Sequence, residues 1–197
     1  MESFWDTRYN SDTFVYGKDP NVFFASALEK LDPGRILLPG EGEGRNAVYA
    51  ALMGWEVDAF DQSSVARIKA GFLMKEKGVQ INYQVCELSD YNFQKEYYDV
   101  IGLVYIHLPP AGRKMLHRQA AEALKPGGRI ILEAFHTSQL GNPTGGPRVP
   151  DMLFDKNTLL EDFYTLNQEF LEEATESLRE GPFHQGSANL IRYIGKK

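Results

Sequence analysis

Short apolar runs alternating with amphipathic helical stretches predict an α/β fold: a doubly wound, mostly parallel sheet with helices on both faces. Three observations carry that reading. The runs "RILLP" (35–39), "YDVIGLVYI" (98–106) and "RIILEAF" (129–135) are continuously apolar, as strands buried on both faces are. The stretches between them repeat apolar residues at helical spacing. A turn rich in glycine, "PGEGEG" (39–44), leads from the first apolar run into the next helical stretch, and open α/β sheets bind ligands at such turns.

The totals fit one domain. A chain of 197 residues can bury a full-sized core. With 21 basic and 27 acidic residues the net charge is −6, which speaks against nucleic acid held through its phosphates. Cys86 is the sole cysteine and forms no intrachain disulfide, as expected in a reducing cytoplasm. The opening residues "MESFWDTRYN" lack the pattern of a signal peptide. The longest apolar run, Val100 to Ile106, is well short of the ~20 residues that span a bilayer. The expectation is a cytoplasmic protein whose partner is a small molecule, without nucleic acid or membrane; the oligomeric state is left open.

The elements follow in order. "DPNVFFASALEKLDPG" (19–34) reads as a helix with Asp19 as N-cap and Pro20 at its first position, stopped at Pro33-Gly34. After the first strand, Val48, Ala51, Leu52 and Trp55 share one helical face, with Gly54 near the end. "WEVDAF" (55–60) is a strand, and "QSSVARIKAGFLMKEKG" (62–78) a helix between a serine cap and Gly78. "INYQV" (81–85) is a short strand. Pro109-Pro110 opens a helix with Leu116, Ala120, Ala123 and Leu124 on one face, ended by "KPGG". Residues 137–155 are too rich in Gly and Pro for a plain connection and read as a lid or substrate loop. A helix follows near Thr158 to Tyr164. "FLEEATESLRE" (170–180) suits helix or strand, "SANLIRYIG" (187–195) is a strand, and a closing hairpin is expected.

Electrostatics narrows the ligand of the glycine turn. The dinucleotide pattern G-x-G-x-x-G wants its third glycine where Arg45 stands. A pyrophosphate would also meet Glu41 and Glu43, and two like charges ~4 Å apart at an effective dielectric of 20 repel by about 4 kcal/mol. A cationic ligand gains from the same charges, and S-adenosylmethionine, with its sulfonium and ammonium, is net positive. The candidate cofactor contacts are Gly40, Glu41, Gly42, Glu43, Gly44 and Asn46 in and after the turn. Asp61, Gln62 and Ser63 follow the second strand, where an acid accepts from ribose hydroxyls; Asp61 also reads as a helix cap. Glu87 and Leu88 end the third strand beside the adenine, and Leu103 and Val104 of the fourth would face the methionine end.

The order of "GEGEGRN", "FDQS", "YDVIGLVYIHLP" and "LKPGGRIILEAF" resembles class I S-adenosylmethionine-dependent methyltransferases over residues 20–195. The flanks "FWDTRYNSDTFVYGKDPN" and "FHTSQLGNPTGGPR" resemble the tellurite-resistance and thiopurine branch. The resemblance implies a Rossmann-like sheet of seven strands with the last antiparallel, and methyl transfer to a small molecule, with a soft sulfur, selenium or tellurium nucleophile as one class of acceptor. It also implies an aromatic N-terminal segment closing over the cofactor, which adds Tyr16 to its contacts. Where that family commonly carries an acid two residues before the first glycine, this chain has Leu38, so Glu41 or Glu43 would have to meet the cofactor ammonium. A catalytically silent binding protein of the same fold and a nicotinamide-dependent oxidoreductase are the alternatives.

The division expected along the chain is an N-terminal cap and helix (1–34), a cofactor-binding core (35–136), and a substrate loop, helix and closing hairpin (137–197). Segments outside the regular alternation would form a lid on the acceptor, lined by Arg148, His184 and Gln185. Trp5 and Tyr105 are further candidates for the acceptor. His107 and His136 adjoin strand ends and are read as converging with His184, whereas His117 is read as solvated on the polar face of its helix. No pair of histidines has metal-ligand spacing, so no metal is expected, and no catalytic base is assigned.

Overall fold

The computed structural model describes residues 4–197; the first three residues of the expected N-terminal cap lie outside the described residues. Among the described residues, six α-helices and seven strands follow in the order α1 (Phe4–Tyr9), α2 (Val22–Leu28), β1 (Arg35–Pro39), α3 (Arg45–Leu52), β2 (Glu56–Asp61), α4 (Ser64–Lys77), β3 (Asn82–Val85), β4 (Tyr98–Val104), α5 (Pro110–Ala123), β5 (Leu124–Phe135), α6 (Lys156–Asp162), β6 (Asn167–Glu180) and β7 (His184–Lys196). The strands form one sheet in the order β3-β2-β1-β4-β5-β7-β6. Parallel pairing joins β1 to β2, β2 to β3 and β4 to β5, while β7 runs antiparallel to β5. The expected seven-stranded, mostly parallel sheet is the one observed.

The chain divides into two compact units, residues 1–92 with 180–183, and residues 93–179 with 184–197. In the first, the apolar face of α4 (Ala66, Ala70, Leu73) and the side chains of Ile36, Leu37, Val57 and Phe60 are buried. Phe60 stacks on Tyr91 with centroids 4.1 Å apart. In the second, Val100, Ile101, Ile130, Leu132 and Leu116 are buried, and Phe163 stacks on Tyr193 at 5.1 Å.

Local chemistry sets most boundaries. Helix α4 starts at Ser63, whose side chain accepts from the Ala66 amide, and ends at Gly78 in the left-handed region with Lys75 and Lys77 in the last turn. Helix α2 starts later than expected. Its cap is Asn21, not Asp19: the Asn21 side chain accepts from the Phe24 amide at 2.9 Å, while its own amide donates to Asn46 Oδ1 at 2.9 Å. Helix α5 stops at Ala123, so Leu124 already belongs to the next strand.

"FLEEATESLRE" is strand, within β6, and it hairpins onto β7. Residues 137–155 fold back rather than hang free. Gln139 donates to the Thr144 hydroxyl at 2.8 Å, Thr144 donates to the Ser187 carbonyl at 2.8 Å, and the Asn189 amide donates to Gln139 Oε1 at 2.8 Å.

His117 corrects the sequence reading. It is 2 % exposed, stacks on Phe163 at 4.4 Å, and its Nδ1 lies 2.8 Å from Asp162. Helical periodicity counted the imidazole as polar and turned it to solvent. A buried carboxylate that also receives Arg113 Nε at 2.7 Å supplies the partner that lets the ring stay inside.

Candidate functional site

The glycine turn is held by its own neighbours. The Gly42 amide donates to Asp61 Oδ2 at 3.0 Å, and the Gly42 carbonyl accepts from the Tyr83 hydroxyl at 2.6 Å. The other Asp61 oxygen accepts from the Ser63 amide at 2.8 Å. Gly42 sits at φ +62°, and a Cβ there would stand 2.5 Å from the Tyr9 hydroxyl. Only glycine fits that position, for conformation and for space. Asp61 therefore ties the end of β2 to the middle of the turn. Burial raises its pKa, and the Ser63 and Gly42 amides pull it back down. Each of its oxygens accepts one amide and keeps lone-pair capacity for a hydroxyl.

The two glutamates have separate tasks. Gly44 is the N-cap of α3 and has no side chain to close the helix; Glu41 reaches in and accepts from the Ala47 amide at 2.7 Å. Burial lifts its pKa to about 7, the Ala47 amide and Arg45 pulling the other way. Glu43 Oε1 pairs with Lys69 Nζ at 2.5 Å, and Oε2 accepts from the amides of Val15 and Tyr16 at 2.8 and 3.4 Å. The negative charge that the sequence offers to a cationic ligand is thus committed to the chain. One glutamate caps a helix, the other holds a segment and a lysine.

Other predicted cofactor contacts in this unit fall as follows. Gly40, Gln62 and Glu87 are exposed, Leu88 and Tyr16 half-buried, and Asn46 and Ser63 buried. Trp5 stacks on Tyr9 at 5.7 Å, and Tyr9 packs against Tyr16 at 6.2 Å. Two participants escaped the sequence reading of the turn: Tyr83 and Lys69. Lys69 left a signal, since it lies on the helical face of Ala66, Ala70 and Leu73, where a lysine needs a buried partner.

The second unit gathers rings at the ends of β4 and β5. Leu103 is buried and Val104 half-buried at the end of β4. Tyr105, the next residue, adopts φ +54°. Its amide donates to the Glu133 carbonyl at 2.8 Å and its hydroxyl to Glu133 Oε1 at 3.0 Å. Arg192 Nε donates to the other oxygen at 2.6 Å. The Tyr105 ring lies 4.9 Å from Phe135 and 4.7 Å from the buried His184.

His107 stacks on Phe135 at 5.6 Å. Its Nε2 accepts from the Phe135 amide at 3.3 Å, so Nδ1 carries the proton and donates to the Met152 carbonyl at 2.7 Å. Burial lowers its pKa to about 4. With both nitrogens engaged, His107 braces the site as a neutral ring.

Tyr105, His107 and His184 come together. His136 does not join them: it caps a short turn through the Ser138 amide at 3.2 Å and lies 3.7 Å from Glu173. Arg148 and Gln185 are exposed. Gly145 closes over the rings, where a Cβ would stand 2.8 Å from His184 and 2.9 Å from Phe135. Among the described residues, no group of three or more His, Cys, Asp or Glu could hold a metal ion, and no helix is long and apolar enough to cross a membrane.

The family of tellurite resistance protein TehB matches residues 2–189. The chain belongs to that family. Among proteins with assigned names it is 24% identical over 174 residues to a probable S-adenosyl-L-methionine-dependent methyltransferase TehB of Haemophilus influenzae, covering 87% of this chain and 56% of that one. The chain spans little more than half the length of the TehB relatives it matches.

Its fold superposes on the crystal structure of TehB from Haemophilus influenzae with a TM-score of 0.74 at 18% identity, over 100% of this chain and 66% of that one. It also superposes on the Burkholderia thailandensis 1,6-didemethyltoxoflavin-N1-methyltransferase, solved with bound 1,6-didemethyltoxoflavin and S-adenosylhomocysteine. That TM-score is 0.65 at 16% identity, over 88% of this chain and 76% of that one. At such identities the structural matches establish the fold. Membership of the TehB family rests on the sequence match along the chain.

Proposed function

We propose that this chain transfers a methyl group from S-adenosylmethionine to a small-molecule acceptor. The observation that carries the reading is the Asp61 carboxylate, bonded to the Gly42 amide and placed at the end of β2. Its remaining lone pairs suit ribose hydroxyls, and the turn beside it presents backbone in place of side chains. Asp61 would hold the ribose, and Glu87 with Leu88 the adenine side. The names of the TehB relatives support the same cofactor.

The cofactor would supply an already activated methyl, and the residues of the chain would position the acceptor and exclude water. For the acceptor we assign Tyr105 and His184, with His107 and Phe135 behind them. The neutral His107, both nitrogens bonded, takes no proton from the acceptor. A soft nucleophile with an available lone pair, such as a thiol or a reduced selenium or tellurium species, needs placement rather than a base. The bonded glutamates leave the cofactor ammonium to be met by other groups than Glu41 and Glu43.

Thermal unfolding with S-adenosylmethionine, S-adenosylhomocysteine, NAD and NADP tests the cofactor. A stabilisation of about 2.7 kcal/mol is expected at a hundredfold excess over the dissociation constant, for the adenosyl compounds alone. No shift at millimolar concentration would rule the reading out. Mass spectrometry of reactions with alkyl thiols, selenide and telluride then identifies the acceptor.

A further inference from the structure

One buried ammonium organises the N-terminal segment. Lys69 is 8 % exposed. Its Nζ donates to the carbonyls of Tyr9, Ser11 and Thr13 at 3.2, 2.9 and 2.6 Å, and pairs with Glu43 Oε1 at 2.5 Å. The chain from Tyr9 to Thr13 is wound around this cation. Glu43 continues the grip by taking the amides of Val15 and Tyr16. Two charged side chains, one on α4 and one inside the glycine turn, thus hold five backbone groups of a single segment.

That segment covers the turn. The Tyr9 hydroxyl fills the space a Gly42 side chain would take, on the face that glycine leaves open for close approach of a ligand. The far end of the segment is anchored separately: Arg45 donates to the Tyr16 carbonyl at 3.1 Å and pairs with Glu180 at 3.0 Å, and the Phe183 amide donates to the Val15 carbonyl at 3.3 Å. Residues 10–13, by contrast, are exposed, and an open hollow lined by Tyr9, Asn10, Ser11, Asp12, Val65 and Ile68 gives water access to Lys69. Both ends of the strap are fixed, the near one by Asp6, which accepts from the Ser63 hydroxyl at 2.6 Å, and the exposed stretch between them hangs on a single lysine.

Building on the adenosyl-cofactor reading above, we propose that Lys69 is a positioning residue for cofactor exchange. With Glu43 it latches the segment Tyr9–Tyr16 over the glycine turn, and release of that latch sets the rate at which cofactor enters and leaves. A gate differs from a contact in its kinetics. Weakening a gate raises association and dissociation together and moves the dissociation constant little; removing a contact changes mainly dissociation.

The experiment compares wild type, Lys69→Met, Lys69→Arg and Glu43→Gln, all checked for folding by thermal unfolding. Stopped-flow fluorescence follows S-adenosylhomocysteine binding through Trp5, which stacks on Tyr9. Lys69→Met should raise both rate constants at least fivefold with the dissociation constant within threefold. Lys69→Arg should return both toward wild type, and Glu43→Gln should act like Lys69→Met. In the ligand-free proteins, hydrogen exchange at the Val15 and Tyr16 amides should speed up at least tenfold in Lys69→Met. Unchanged rate constants, or faster dissociation alone with weaker affinity, overturn the latch; so does undiminished amide protection. A wild-type protein that binds no S-adenosylhomocysteine overturns the cofactor reading and the exchange role together, a result separable from the former because it appears before any variant is made. Should Lys69→Met fail to fold, Glu43→Gln decides by the same two measurements.

Discussion

The glycine turn and the ring cluster at the ends of β4 and β5 are built from opposite materials. Around the turn, carboxylates are buried and bonded to backbone amides: Asp61 to Gly42 and Ser63, Glu41 to Ala47, Glu43 to Val15 and Tyr16. Around Tyr105 the surroundings are rings, and His107, with both nitrogens bonded, is held neutral by burial. The first arrangement fixes backbone and suits a polar, hydroxyl-bearing ligand. The second offers polarisable surface and no spare proton acceptor on His107, which suits a soft acceptor. Acidic composition pointed to the ligand of the turn, yet the charges there serve the fold first.

The largest effect should come from removing the carboxylate that ties the turn. Asp61→Ala leaves the buried amides of Gly42 and Ser63 without their acceptor, at about 1–3 kcal/mol each. A loss of several kcal/mol in urea unfolding is expected, together with the loss of cofactor affinity. Asp61→Asn, which retains one acceptor oxygen, should lose about half as much stability. If Asp61→Ala unfolds like wild type, the turn is held by something else, and the contrast between the two regions fails at its strongest point.

The next test uses pH, because the two regions titrate in opposite senses. Glu41 has its pKa raised from 4.5 to about 7. Its contribution is therefore fully present below pH 4.5 and is lost as pH rises through 7, about 3 kcal/mol in all. His107 has its pKa lowered from 6.5 to about 4. Its contribution is present above 6.5 and is lost as pH falls through 4, by a similar amount. Between pH 4.5 and 6.5 the two slopes oppose each other. Glu41→Gln keeps a side-chain oxygen for the Ala47 amide and removes the charge. It should match wild type at pH 4 and exceed it by about 3 kcal/mol at pH 8. Equal stability at both pH values would mean that Glu41 is not strained by its burial.

Where the determinants are local, the sequence was readable. The cap of α4 at Ser63, its stop at Gly78, the glycine turn and Asp61 at the end of β2 all depend on neighbours within a turn or a strand. So does the alternation that gives the sheet. Ambiguity in "FLEEATESLRE" had a physical source: β6 is largely exposed and carries no continuous apolar signal. The long-range partnerships that went unread share another cause. Glu43 bonds an amide 28 residues away, Lys69 a carbonyl 60 away and His117 a carboxylate 45 away. A titratable side chain looks solvated in a periodicity plot until the partner that neutralises it is known. Asn21 took the cap of α2 from Asp19 for a related reason, since Asn46 pins its amide.

The smallest expected effect is the most specific. Tyr105 holds φ +54° without being glycine, a conformation that costs an L-residue about 1–2 kcal/mol. Glu133 pins it twice, through its carbonyl to the amide and through its carboxylate to the hydroxyl, while Arg192 holds the other oxygen. A residue kept in a strained conformation by two bonds is placed for what its ring and hydroxyl face. Tyr105→Phe removes only the hydroxyl, leaving the ring against Phe135 and His184 and Glu133 still paired with Arg192. Stability should fall by about 1 kcal/mol, and S-adenosylhomocysteine affinity should stay within twofold. With an alkyl thiol as acceptor, KM should rise three- to tenfold while kcat changes less. A variant that loses the same stability but keeps its KM would make the hydroxyl a brace for the backbone, and the acceptor assignment would pass to His184 alone.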